Sequence, residues 1–131
     1  MENSKDRVFP FMVIGAFYSL IIYFLRKAPQ INDTIVIIMV AITVAILLCA
    51  LVSSFWKISA HSTGIVGMIT ILAVINNNIP DSGLFYPIVI LILISSFLMS
   101  ARLYLNAHTP EQILAGGILG LSLGGMTYFF I

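Results

Sequence analysis

The chain has 131 residues, of which 60% are hydrophobic and 8% are charged, and its mean hydropathy is +1.11. So few polar groups cannot cover a water-soluble surface, and the composition therefore predicts an integral membrane protein. A net charge of +1 without a basic stripe argues against nucleic-acid binding, and the lone Cys49 excludes an internal disulfide.

Apolar segments follow one another along the chain, and most have the length of roughly 20 residues that a membrane-spanning helix needs. The sequence predicts them at Val8 to Leu25, Thr34 to Trp56, Ser62 to Ile75, Leu84 to Ala101 and Pro110 to Ile131. The first lacks a small-residue cleavage site and is too long for a signal peptide, so we expect it to be retained. The third is short, because the turn-forming residues 76–80 stop it. We expect a single all-α domain over residues 1–131, a polytopic transmembrane bundle of about five helices.

Alternation of these helices across the bilayer predicts which connections share a membrane face. The N-terminus, the connection at residues 56–62 and the connection at residues 102–109 fall on one side. This face would gather the basic and imidazole side chains Lys57, His61, Arg102 and His108. Because charge is balanced between the two faces once site candidates are set aside, the orientation in the membrane stays open.

Helix-start signals occur at two of these connections. Thr109, Pro110 and Gln112 form the pattern of an N-cap, a first-turn proline and a capping-box partner. Ser59 can cap the third helix in the same way, which places His61 in its first turn. Helix N-termini attract anions, so the pattern predicts a phosphate-sized anion site at the membrane surface.

These residues resemble the motifs of the type 2 phosphatidic acid phosphatases, which are membrane relatives of the vanadium haloperoxidases. That family carries a P-S-G-H block and a later S-R-x5-H-x3-D block, each at the start of a transmembrane helix. Here "ISAH", Ile58 to His61, occupies the place of the first, and Ser100, Arg102 and His108 match the second. The glycine-containing stretch at residues 115–120 is similar to the family's final helix.

The chain also departs from the family pattern. A further family block, K-x6-R-P, is absent, with Lys57 the one nearby candidate for its lysine. Ile58 and Ala60 replace the proline and glycine of P-S-G-H, and Ala101 precedes the motif arginine. Gln112 occupies the position of the usual aspartate, and the family usually has one more helix.

The resemblance implies a role for each matching residue. His108 would attack phosphorus to form a phosphohistidine, and His61 would protonate the leaving oxygen and later activate water. Gln112 would accept a hydrogen bond from the His108 ring, as well as serve its own helix cap. The phosphoryl oxygens would be held by Arg102, Lys57, Ser59 and the backbone N–H of Ala60. The implied chemistry uses no metal and no cofactor.

A site flush with the membrane favours a substrate whose tail stays in the bilayer, such as a phosphatidyl or polyprenyl phosphate or diphosphate. The resemblance implies a bacterial inner membrane, with the site on the extracytoplasmic face. Two other functions stay open. One is a non-catalytic descendant that binds anionic lipid headgroups or acts as a membrane scaffold, which Gln112 and the missing block favour. The other, a transport component, has little support because the polar residues collect at one face.

The last helix carries small residues at a four-residue period, Gly116, Gly120 and Gly124. This spacing permits close helix approach, either within the bundle or across a homodimer. The aromatic residues Tyr128, Phe129 and Phe130 are typical of an interfacial anchor at the far membrane face.

Overall fold

The computed structural model describes residues 4–106 and 108–131, and within these ranges the regular secondary structure is entirely helical. The α-helices are α1 (Val8–Lys27), α2 (Asp33–Ser53), α3 (Ala60–Asn78), α4 (Phe85–Tyr104) and α5 (Pro110–Met126). Short 3₁₀ turns lie at Ser4–Arg7, Pro80–Ser82 and Thr127–Phe129. All five helical stretches are long and apolar enough to cross a membrane, which confirms the predicted polytopic all-α bundle.

The observed helix ends correct several predicted boundaries. The fourth helix continues to Tyr104 rather than Ala101, and the fifth ends at Met126 rather than Ile131, with a 3₁₀ turn after it. The third helix is not short, because α3 continues through the asparagines to Asn78 and has 19 residues, whereas α5 has 17. It ends where Pro80 forces the preceding Ile79 out of the helical region, to φ −129° and ψ 83°. The second helix ends at Ser53 rather than Trp56, because the Ser54 hydroxyl donates to the Leu51 carbonyl and the chain turns there.

The bundle is organised around the packing of α3 against α5. A second pair, α1 and α2, joins it through contacts of α2 with both α3 and α5, and α4 packs on α3. Large apolar side chains such as Phe97, which is 78% exposed, point outward where a bilayer would cover them. The buried interior is small and rich in hydroxyl groups.

Glycines of α5 allow the close approach to α3. A Cβ added at Gly120 would collide with the Thr63 carbonyl oxygen and lie 2.8 Å from the Gly67 nitrogen. Gly116 and Gly124 face α3 in the same way. The predicted small-residue packing is therefore internal at these three glycines.

Hydrogen bonds between the two helix starts fix their register at one membrane face. The Ser62 hydroxyl donates to the Ile113 carbonyl at 2.7 Å, and the Ser59 N–H donates to the Gln112 carbonyl at 3.4 Å. The first turn of α3 is thereby held beside the first turn of α5. Residues that flank both turns are consequently brought to a common cleft.

Candidate active site at one membrane face

A cleft of about 420 Å³ opens at this face of the bundle. It is lined by Arg7, Pro10, Phe11, Lys57, Ala60, His61, Arg102 and His108. These residues come from the start of α1 and the residue before it, the connection between α2 and α3, the first turn of α3, the end of α4 and the connection before α5. The predicted gathering of Lys57, His61, Arg102 and His108 at one face is thus observed. Among the residues that the structure describes, no carboxylate lines the cleft, so it is suited to an anion.

The start of α3 presents backbone donors to the cleft. Ser59 is its N-cap, with a hydroxyl that accepts from the Ser62 N–H at 3.3 Å. The preceding helical N–H groups, those of Ala60 and His61, have no intrahelical partner because they lie in the first turn. Both residues line the cleft, so this end of the helix dipole faces the space that an anion would occupy.

The start of α5 contributes to the cleft differently. Asn106 takes a left-handed φ of 53°, which asparagine tolerates, and the chain then reaches His108 just before the N-cap Thr109. His108 is 5% exposed and lines the cleft, whereas Pro110 has no N–H to offer. Of the two predicted helix N-termini, α3 offers first-turn backbone donors and α5 offers the imidazole that precedes it.

The capping box of α5 determines the tautomer of His108. Gln112 Oε1 accepts from the Thr109 N–H at 3.0 Å and lies 3.3 Å from His108 Nδ1. Because a backbone N–H only donates, the Gln112 atom that faces the Thr109 N–H is the amide oxygen. This oxygen only accepts, so His108 Nδ1 must carry a hydrogen to bond with it. In the neutral ring, Nε2 therefore keeps its lone pair.

The surroundings of His108 also favour its neutral form. Burial lowers the pKa of this imidazole, and the charges of Arg7, Lys57 and Arg102 lower it further. The hydrogen bond with Gln112 acts in the opposite direction but does not reverse the shift. An unprotonated Nε2 is the state that a nucleophile requires.

Arg102 contacts the second imidazole of the cleft. Its Nη2 lies 3.0 Å from Nδ1 and 3.0 Å from Nε2 of His61. Arg102 belongs to the last turn of α4 and His61 to the first turn of α3, so this contact joins two helices at the cleft. The sequence predicted that both residues lie at this face, and their direct contact is a finding of the structure.

The remaining predicted site residues occupy different places. Ala60 lines the cleft, whereas Gln112 stands behind His108 and is outside the lining. Ser59 is 1% exposed, and its hydroxyl is engaged in capping α3 rather than facing the cleft. In this arrangement Ser59 shapes the site through the helix start and does not itself reach the anion space.

Arg7, Pro10 and Phe11 line the cleft and were not selected from the sequence. Arg7 Nη1 donates to the Ile58 carbonyl at 3.0 Å, and its guanidinium lies 5.7 Å from the centre of the Phe11 ring. Alternation of the helices already placed the N-terminus on this face. The sequence signal that would have found Arg7 was therefore a cation at the start of the first helix.

Comparison with known protein families gives a match for the C-terminal part of the chain. The family model of the PAP2 superfamily matches residues 50–131, more than half of the chain. The chain belongs to the PAP2 superfamily. This confirms the resemblance to the type 2 phosphatidic acid phosphatases. No curated protein and no solved structure is similar enough to match the chain.

The PAP2 match covers all the site residues predicted from the sequence, from Lys57 to Gln112. Membership of the PAP2 superfamily points to a phosphatase-type function for an integral membrane protein. Arg7 lies outside the matched residues, although it lines the same cleft. The cleft of this PAP2 protein is thus built from both the matched and the unmatched parts of the chain.

Proposed function

We propose that this protein is a membrane phosphatase that hydrolyses a lipid phosphate or diphosphate through a phosphohistidine on His108. The observation that carries the proposal is the hydrogen bond between Gln112 and His108 in a cleft whose described lining has three cations and no acid. It supplies an unprotonated Nε2 beside groups that stabilise a phosphoryl anion. PAP2 membership supports the same class of reaction.

In the first step, Nε2 of His108 attacks phosphorus while the bond between phosphorus and the leaving oxygen breaks. His61, in its protonated state, gives a proton to that oxygen. The leaving group, a lipid alcohol or a lipid monophosphate, therefore departs without a negative charge on the oxygen that was bonded to phosphorus. Arg102, Lys57 and the first N–H groups of α3 hold the phosphoryl oxygens, where charge concentrates in the transition state.

In the second step, His61, now neutral, takes a proton from water as the water oxygen attacks the phosphohistidine. The bond between phosphorus and Nε2 breaks, inorganic phosphate leaves, and His108 returns to its starting form. The uncharged Gln112 keeps the hydrogen on Nδ1 throughout. An aspartate at this position would in addition stabilise positive charge on the ring.

A lipid substrate is supported by the position and walls of the cleft. It lies at the ends of membrane-spanning helices, and Pro10 and Phe11 of α1 give it an apolar side. A headgroup held by the cations would leave its tail against apolar helix surfaces in the bilayer. The family resemblance supports a bacterial inner membrane, with the cleft on the extracytoplasmic side. A homodimer stays a prediction, and it would use faces other than the three buried glycines of α5.

A second function is favoured by one observation, the uncharged Gln112 in place of an acid. The same cleft would then bind anionic lipid headgroups without turnover, as a receptor or membrane scaffold. Both functions require binding of a lipid headgroup in the cleft. They differ in whether the bond between phosphorus and the leaving oxygen is then broken. Measurement of phosphate release therefore separates them.

The test is phosphate release from phosphatidic acid, a polyprenyl phosphate and a polyprenyl diphosphate by the purified protein in detergent. We expect turnover by the wild type and a loss of at least about 10⁴-fold in His108→Ala. Rapid acid-free quenching should trap a phosphohistidine in the wild type alone. Headgroup binding without phosphate release would favour the non-catalytic function, and turnover that survives in His108→Ala would remove the nucleophile.

A further inference from the structure

We propose that Arg7 is a further phosphate-binding residue of this cleft, supplied by the segment that precedes the residues of the family match. This inference rests on the proposed function, since it names an additional contact to the same substrate. Arg7 lies at the start of α1, far in sequence from the histidines, and lines the cleft with them. The bundle fold alone makes it part of the site.

Two contacts hold the Arg7 guanidinium in place. Nη1 donates to the carbonyl oxygen of Ile58, the residue before the N-cap of α3, at 3.0 Å. The ring of Phe11, one turn along α1, lies 5.7 Å from the guanidinium carbon. Within the described part of the chain, Ile58 is the hydrogen-bond acceptor of this guanidinium, so the other N–H groups of the planar fork can reach a ligand. Such a fixed fork is suited to two oxygens of one phosphoryl group.

Charge in the cleft supports the same assignment. Arg7, Lys57 and Arg102 are close enough that each acts electrostatically on His108. No acid among the residues that the structure describes lines the cleft to balance them. A dianionic phosphate group would relieve the mutual repulsion of these three cations.

The test compares substitutions at the two ends of α1. Arg7→Ala removes the fork, Arg7→Lys keeps the charge and a donor for Ile58, and Arg26→Ala is the matched control. Arg7 is the N-cap of the 20-residue helix α1, and Arg26 lies near its C-terminal end, about 28 Å away along the axis and outside the cleft. Binding of inorganic phosphate by calorimetry and hydrolysis of a short-chain phosphatidic acid are measured for each, with melting temperature as the fold control.

We expect Arg7→Ala to weaken phosphate binding and raise KM by about 10- to 100-fold, with Arg7→Lys between it and the wild type. Added guanidinium ion should restore part of kcat/KM in Arg7→Ala, which a purely structural role would not allow. Arg26→Ala should match the wild type in both measurements.

The outcomes separate this inference from the phosphatase proposal. Wild-type hydrolysis with unchanged phosphate affinity in Arg7→Ala would overturn the role of Arg7 and leave the phosphatase standing. Phosphate binding that depends on Arg7, without hydrolysis by any variant, would support Arg7 and reject the phosphatase. If Arg7→Ala fails to fold, Arg7→Lys decides the question. Phosphate affinity equal to that of the wild type would overturn the proposal that the Arg7 guanidinium binds phosphate, and a several-fold loss of phosphate affinity would support it.

Discussion

The guanidinium of Arg102 lies against the imidazole of His61, with Nη2 3.0 Å from each of the two ring nitrogens. Because a guanidinium only donates, a hydrogen bond from Arg102 requires that one of the two ring nitrogens be unprotonated, so His61 is neutral in this arrangement. A general acid needs the protonated ring. In the proposed mechanism, the substrate therefore draws Arg102 onto a phosphoryl oxygen before His61 acts as the acid.

We therefore expect Arg102 to stabilise the transition state of the reaction and to contribute little to the stability of the fold. Arg102→Ala should lower kcat/KM for a lipid phosphate by roughly 10²- to 10³-fold, since it removes a cation from the phosphoryl oxygens. Arg102→Lys should recover only part of this, because it lacks the planar fork. Steady-state phosphate release checks both, with melting temperature as the fold control. Wild-type kinetics in Arg102→Ala would contradict the role.

The pH dependence of the reaction should report on His108. Burial and the nearby cations lower the pKa of this imidazole below its ordinary value of about 6.5. His108 can attack only when it is unprotonated, so activity falls as the pH drops through the pKa of this imidazole. A lowered pKa therefore keeps the enzyme active at lower pH. The acid limb of kcat/KM, corrected for ionisation of the substrate phosphate, should lie below pH 6.5. An acid limb above that pH would contradict the proposed environment.

Gln112→Glu tests what the missing carboxylate would add. Glutamate keeps the capping-box acceptor for the Thr109 N–H and the partner of His108 Nδ1, and it adds a negative charge beside the ring. The pKa of His108 should rise, so the acid limb should move upward by about one pH unit or more. At pH values above the acid limb, the rate of Gln112→Glu should exceed that of the wild type, because the carboxylate stabilises the positive charge that develops on the His108 ring.

Gln112→Ala is the matched variant for this test, since it loses both the cap and the partner of His108. The expected cost is about 0.5–2 kcal/mol of unfolding free energy from the broken capping box. Phosphate release should also fall, because Nδ1 is no longer held as the donor. An acid limb that is identical in wild type and Gln112→Glu would show that residue 112 is not coupled to the nucleophile.

The sequence predicted those parts of the site that depend on local signals. The caps at Ser59 and Thr109 are short-range patterns with a defined hydrogen bond, and both form as expected. Alternation of apolar helices placed His61 and His108 on one face, and the cleft contains both. These predictions hold because each depends on a few neighbouring residues or on the bilayer geometry.

Predictions that depended on tertiary contacts were less complete. Arg7 was missed because only the packing of the α1–α2 pair against the bundle brings it to Ile58, 51 positions away in sequence. The expected cap at Ser59 forms, and its expected contact with a phosphoryl oxygen stays a prediction because Ser59 lies outside the cleft lining. The extent of α3 was underestimated because three polar asparagines resemble a turn, although Pro80 is what ends the helix.

The glycine packing of α5 is expected to be necessary for the site as well as for stability. A Cβ at Gly116 would collide with the carbonyl oxygen of Ser59 and lie 3.1 Å from both Ser62 Cβ and Thr63 Oγ1. Gly116→Ala should therefore displace the start of α3, with an expected cost of about 1–3 kcal/mol of unfolding free energy. Because His61 lies two residues after the N-cap Ser59, phosphate release should fall together with the melting temperature. Gly125→Ala is the control, since nothing lies within 4 Å of its added Cβ, and it should leave both measurements unchanged. Equal behaviour of the two variants would mean that α5 does not approach α3 as closely as the structure places it.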